Sequence, residues 1–402
     1  MVPRSRRQLL QRCGAIGLAS LAGCVSDTGN DSECSDGRTL HEANITLHQT
    51  AGWPTYHYDA ANTGYNPDVS GPKEDAGIAW RYSACTEAES GIVISDGRAY
   101  AGGLVVNGQT GQTNGGDWHG HMSTPTVSNE TLYVSAFDLE ARDLTTGEKR
   151  WTFQTDVDMG ALPAPKVASE TVYVPGSIDD PTLYAIDAER GDERWRFDTT
   201  ADIDVPVAVF GGTVYVVDEA NTLYALDAAT GDERWQQSLN TDVSRSVPVV
   251  ANDRIYLGSW DGGVQAVNTT DGSTDWQQQG KQTDFRIRGP VAVAEDTMFA
   301  TGRAGTIIAL DATDGQVKWT VSTEAYELEA PAIADGVVYV GGAAGKLLAL
   351  DSTTGEELWR VETEEVLFGD YTRAGINQSP AIVDGMVYVA TAPGDLYAIR
   401  GR

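Results

Sequence analysis

Residues able to do chemistry are few and scattered in this chain. His119-Gly120-His121 sets two imidazoles two positions apart, a spacing that could begin a metal site. The other histidines, His41, His48 and His57, lie far off in sequence. Two ligands do not make a site, so the pair reads as a polar loop. No Gly-rich phosphate loop, Ser-His-Asp grouping or Cys-x-x-Cys pair occurs. Asp and Glu together number 58, so spacing alone singles out no general base. The sequence therefore assigns no catalytic residue and no metal ligand.

The cysteines carry more information. Ser5-Arg6-Arg7-Gln8-Leu9-Leu10, then the apolar stretch from Cys13 to Leu21, then Leu21-Ala22-Gly23-Cys24, follow in that order. The first resembles a twin-arginine export signal and the last a lipobox, whose cysteine becomes a lipidated N-terminus. Residues 1–23 are then a signal peptide, Cys24 the lipidation site, and residues 24–50 a polar tether. The expected location is the outer face of the cytoplasmic membrane, held there through the lipid. The apolar stretch is too short to span a bilayer comfortably. Cys34 and Cys85 remain as an even pair in an oxidising compartment, either a disulfide or two free thiols. Asn44, Asn129, Asn268 and Asn377 begin glycosylation sequons.

Charge excludes one class of partner. With 28 Lys plus Arg against those 58 acids, the formal charge is −30, and a nucleic-acid binder working through clustered cations is ruled out. A 41% hydrophobic content with ten Trp is too apolar for a disordered acidic chain, so a packed core is expected. Acids spread along the whole chain resemble the composition of proteins from extreme halophiles, where screening is strong; an ordinary acidic secreted protein is the alternative.

The elements that would position a site come from a repeat. Six segments keep the template Ala-x-Asp-x-x-Thr-Gly-x-x-x-Trp, ending at Trp151, Trp195, Trp235, Trp276, Trp319 and Trp359, with steps of 44, 40, 41, 43 and 40 residues. Each unit also has a Pro-led apolar run and an aromatic run such as Thr213-Val-Tyr-Val-Val217. Short β-branched runs bounded by Gly, Asn or Asp predict four strands joined by hairpins, and a four-stranded sheet of this pitch is a propeller blade. Asp should bond backbone amides ahead of it, Gly should supply a positive φ, and Trp should cover the next blade with its indole N–H on a carbonyl.

This template resembles the tryptophan-docking motif of pyrroloquinoline-quinone (PQQ) repeat propellers, a family that includes quinoprotein alcohol dehydrogenases and BamB lipoproteins. Departures are Arg190, Asp271 and Asp314 in place of Thr, and Asn268 in place of Asp. The resemblance covers 77–402, with 51–76 resembling the lead-in segment of such propellers. It implies an all-β, eight-bladed ring of four-stranded antiparallel blades: one degenerate blade with Gly115 where Trp should stand, six full ones, and a last blade closed by an N-terminal strand bearing Trp80.

Function then depends on a site. The resemblance implies, for a dehydrogenase, an adjacent Cys-Cys, a Ca²⁺ held by acidic and amide side chains, a catalytic Asp and large insertions. The chain has no Cys-Cys, and its blades are joined at near-minimal length. What varies from blade to blade is the channel mouth, just before each innermost strand: Ser123, Asp204, Arg245, Arg288, Glu329, Asn377 and Gln378. Unlike polar residues on a repeated frame suit a protein- or ligand-binding scaffold. The alternative is a PQQ-dependent dehydrogenase of an alcohol or sugar, with PQQ and calcium as cofactors.

Overall fold

The computed structural model describes residues 52–83, 90–101, 103–113, 123–155, 162–243, 245–259, 262–278, 287, 291–302, 304–325, 327–363, 366–368, 372–392 and 394–402. The export signal, Cys24, Cys34, Cys85, the His119–His121 pair and Arg288 lie outside them. The described residues fall in one compact unit, and no helix occurs among them.

Eight antiparallel sheets follow one another along the chain. Blade 1 holds Val93–Ser95, Arg98–Ala101 and Leu104–Asn107, with Thr113 bridging Val106 where a fourth strand would run. Blades 2 to 7 hold four strands each, and the lead-in strand Tyr65–Asn66 adds a fifth to blade 7, parallel to its innermost strand. Their innermost strands are Thr126–Ser128, Lys166–Ala168, Ala208–Phe210, Val249–Ala251, Ala292–Ala294 and Ala332–Ala334. Blade 8 joins Ala381–Val383, Met386–Ala390 and Asp395–Gly401 to the early strand Ala76–Ser83, with Trp80 opposite Ala398. The two ends of the ring therefore share one sheet, as the sequence requires. Each innermost strand lies against its neighbours on both sides, and that of blade 8 meets that of blade 1, which closes the circle. A separate hairpin, Val366–Phe368 with Thr372–Ala374, precedes blade 8.

The template works as a joint between blades. Asp227 Oδ1 accepts from the Ala229 and Thr230 amides, which folds the turn, and Gly231 then takes φ +78°. A bulge in the register at Ala225/Leu226 re-aims the last strand just before Trp235. The indoles donate forward around the ring: Trp80 to Gly108 O, Trp151 to Ala188 O, Trp195 to Ala228 O and Trp235 to Thr269 O. Trp276, Trp319 and Trp359 continue to Ala312, Ser352 and Pro72. All seven predicted indoles dock, and Trp80, Trp195 and Trp359 are buried. The template Gly is fixed twice, because the previous blade's indole lies flat on it: a Cβ on Gly231 would stand 2.7 Å from Trp195.

On the perimeter, Arg150, Arg194 and Arg234 each tie the template Asp of their own blade to the Thr that begins its second strand. Blade 5 reverses the charges, with Asp275 in the Arg position and Arg254 in the Thr position, 2.8 Å apart.

Candidate functional site

The lead-in segment positions the centre of the molecule. It runs as a belt inside the ring and visits the blades in numerical order. Trp53 exchanges backbone bonds with Ile94 of blade 1, and the Pro54 carbonyl accepts from Val127 of blade 2. The Ala60, Ala61, Thr63 and Gly64 carbonyls accept from Val209, Val250, Val293 and Ile333 of blades 4 to 7, at 2.7–2.9 Å. Ser70 O accepts from Gly385 of blade 8. Such groups would otherwise be buried and unpaired, so the repeat's inner edges and the belt need each other. Asn62, wholly buried, donates from Nδ2 to both Val207 O and Pro248 O, clamping two blades.

Blade 3 is the exception, because a side chain replaces the backbone donor. Lys166 occupies a position held elsewhere by Thr, Ala or Val, and its ammonium reaches Tyr56 O and, at 3.0 Å, Asp59 O. Burial pulls this lysine down to about 7, against the pull of Asp59. The Asp59 carboxylate, raised by burial, accepts from the Thr63 amide and hydroxyl at 2.9 and 2.7 Å.

Two aromatic rings of the belt sit beside Lys166. Tyr56 stacks on His57 with centroids 5.6 Å apart, and the Lys166 Nζ is 5.6 Å from the Tyr56 centroid. Burial, then the charge of Glu329, pushes the Tyr56 hydroxyl well above its usual range. Glu329 is one of the residues the sequence assigned to the channel mouth, and its charge is felt at Tyr56 of the belt. His57 is brought down to about 4 by burial, with the Asn62 carbonyl opposing and Lys166 reinforcing the shift. It is neutral at pH 7, and its Nδ1–H donates to Asn62 O at 2.7 Å. That leaves His57 Nε2 and Asn62 Oδ1 as buried acceptors with no donor.

The predicted mouth residues form local groups. Ser123 is tied to its own blade through Ser135 O, at 2.8 Å. Asp204 shares a hydrogen bond with Glu219, and Arg245 faces the same group; the bond to Asp204, burial and neighbouring acids push Glu219 up to about 7. The Glu219 amide also donates to Asp202 O. Gln378 sits beside Gly91, near the bond from the Gly91 amide to Thr124 Oγ1. Asn377 keeps a buried Oδ1 without a donor. Glu219, Tyr56, Lys166 and Asp59 were not singled out from sequence. The one available signal was a lysine at a position of small residues, in a chain of six lysines.

A family model of PQQ repeats, described as outer membrane protein assembly factor BamB, matches residues 77–203, 179–291 and 281–402. The chain belongs to this family. Among curated relatives, it is 28% identical over 208 residues to the serine/threonine-protein kinase AfsK of Streptomyces coelicolor, half of this chain and 20% of that one. It is 26% identical over 259 residues to the quinohemoprotein alcohol dehydrogenase of Comamonas testosteroni, 60% of this chain. The matched stretch spans 31% of that enzyme. The solved structure of the quinohemoprotein superposes with a TM-score of 0.73 at 16% identity, covering 89% of this chain and 82% of that one. BamB from Moraxella catarrhalis superposes at 0.58 with 18% identity, covering 89% and 98%. These structural likenesses concern the fold.

Membership raises the question of PQQ. Among the described residues no three His, Cys, Asp or Glu side chains gather to hold a metal ion. The carboxylates around Glu219 pair with each other, and an anionic quinone would meet repulsion there.

Proposed function

We propose that this PQQ-repeat propeller is an exported, lipid-anchored scaffold that binds a protein or ligand at its channel mouth. The observation that carries the reading is a mouth whose polar side chains differ from blade to blade, on a frame whose joints hardly vary. Asp204, Glu219 and Arg245 make one mixed-charge group, and the charge of Glu329 acts on the buried Tyr56 hydroxyl. Membership of a family described by an assembly factor supports a protein partner. Anchoring through Cys24 is tested by Cys24→Ser, which should move the protein out of the membrane fraction. The mouth is tested by crosslinking on intact cells followed by mass spectrometry, with wild type beside a double Arg245→Ala, Arg288→Ala variant. Loss of the crosslinked partner supports the reading, and an unchanged partner set rejects it.

The second reading, a PQQ-dependent dehydrogenase, is favoured by the likeness to the quinohemoprotein. It requires that adding PQQ with Ca²⁺ change the absorbance and that an alcohol then reduce a dye. The scaffold does neither.

A further inference from the structure

At the end of the innermost strands opposite the mouth, a pocket of about 480 Å³ opens between the belt and blades 1 to 3. Its walls include Tyr58 and Asp59 of the belt, Ser95 and Asp96 of blade 1, and Val127 and Ser128 of blade 2. The size lies within the range of small-ligand sites. We propose that this pocket binds an alkylammonium or guanidinium cation, from a free polyamine or from a basic side chain of another protein.

The lining decides the ligand's chemistry. Asp59 and Asp96 contribute two carboxylates, and no Lys or Arg is among the described residues that line the pocket. Lys166, the neighbour in sequence of the lining residue Val167, directs its ammonium to the backbone oxygens of Tyr56 and Asp59. Two of the hydroxyls are already engaged, Thr55 with Thr126 and Thr126 with Pro165 O, both at 2.7 Å. What remains for a ligand is rich in acceptors. Burial, then the charges of Asp68 and Asp59, raise the Tyr58 hydroxyl above its usual range. The Tyr58 ring is braced by Trp53 at 5.1 Å and offers a rigid aromatic face, the surface a cation with an apolar stem prefers. A neutral sugar could use the hydroxyls and the ring but would leave the carboxylates of half-buried Asp59 and exposed Asp96 without a counter-charge. This inference is independent of the mouth and stands whether or not a partner binds there.

The test is titration calorimetry on the intact protein. Spermidine represents the free polyamine, an acetylated Gly-Arg-Gly amide the basic side chain, and maltose the neutral polyol. Asp96 is exposed in a turn at φ +49°, a conformation Asn adopts readily, so Asp96→Asn should keep the fold. It should weaken the cationic ligand about tenfold, and Tyr58→Leu should also weaken it. The more tightly held of the two cations names the source. Glu189→Gln removes an exposed carboxylate on a distant turn and should change nothing. Equal losses in Asp96→Asn and Glu189→Gln would mean diffuse attraction to an acidic surface and would overturn the proposal. Maltose binding in place of the cations, or no binding by any probe, would overturn it too.

Discussion

The Arg98 guanidinium donates to the Leu144 carbonyl at 3.1 Å, and this bond stands where an indole docks at the other seven seams. Leu144 follows the template Asp143 as Ala188 follows Asp187, so the acceptor is the standard one and only the donor has changed. Blade 1 lacks its tryptophan, and an arginine from its second strand takes over the bond. It does not take over the buried area. Arg98→Met should therefore cost about 1 kcal/mol, and Trp195→Ala about 3–5 kcal/mol. Trp195→Phe, which keeps a ring and loses the N–H, should fall between them. Urea midpoints at constant m-value check the order.

Gly231 separates two effects. Gly231→Ala strains a positive φ and drives a methyl into the Trp195 ring, for a combined loss of about 2–4 kcal/mol. Gly211, at φ +57°, has nothing within 4 Å of where a Cβ would stand, so Gly211→Ala should show the backbone cost alone, about 1 kcal/mol. Equal losses in thermal melts would show that the indole is not seated on the glycine.

The reversed pair of blade 5 predicts a rescue. Asp275→Arg places a second cation beside Arg254, and Arg254→Asp a second anion beside Asp275. The double exchange restores an ion pair across the same two positions with the charges swapped. Both groups are partly exposed, so the coupling in a double-mutant cycle should be about 0.5–1 kcal/mol and should shrink in molar salt.

Lys166 gives the stability a pH signature. Between pH 7 and 10.5 the unfolded chain holds a proton that the folded chain has released, so stability rises with pH through that window. The penalty sets in as the pH falls through it. Lys166→Met should remove this slope, whatever its effect at a single pH. Parallel melts at pH 7, 8.5 and 10 compare the two proteins; identical slopes would place the ammonium in water.

The blade count, the docking order and the shared sheet at the chain ends were all legible, because seven indoles at a fixed spacing report a contact that every blade repeats. The centre of the molecule was not. Lys166, Tyr56 and Asp59 meet across more than a hundred residues, each occurs once, and a repeat carries no information about its exceptions. The grouping of the expected mouth residues was not legible either, because it hinges on Glu219, whose partner Asp204 lies on another loop of the same blade. His57 looked isolated among the histidines because its neighbours, Asn62 and Lys166, are not of a type that motif reading seeks.

The order in which the lead-in touches the blades has a consequence for how the protein is made. Residues 53–70 leave the ribosome before any of the blades they touch, but their last hydrogen-bond partner, Gly385 of blade 8, follows long afterwards. The earliest stretch must wait, unsatisfied, while all eight sheets are assembled around it, and it can settle only when none is missing. A chain cut before blade 8 would leave that stretch half-seated, so the presence of every blade is read at the hub before the ring becomes stable.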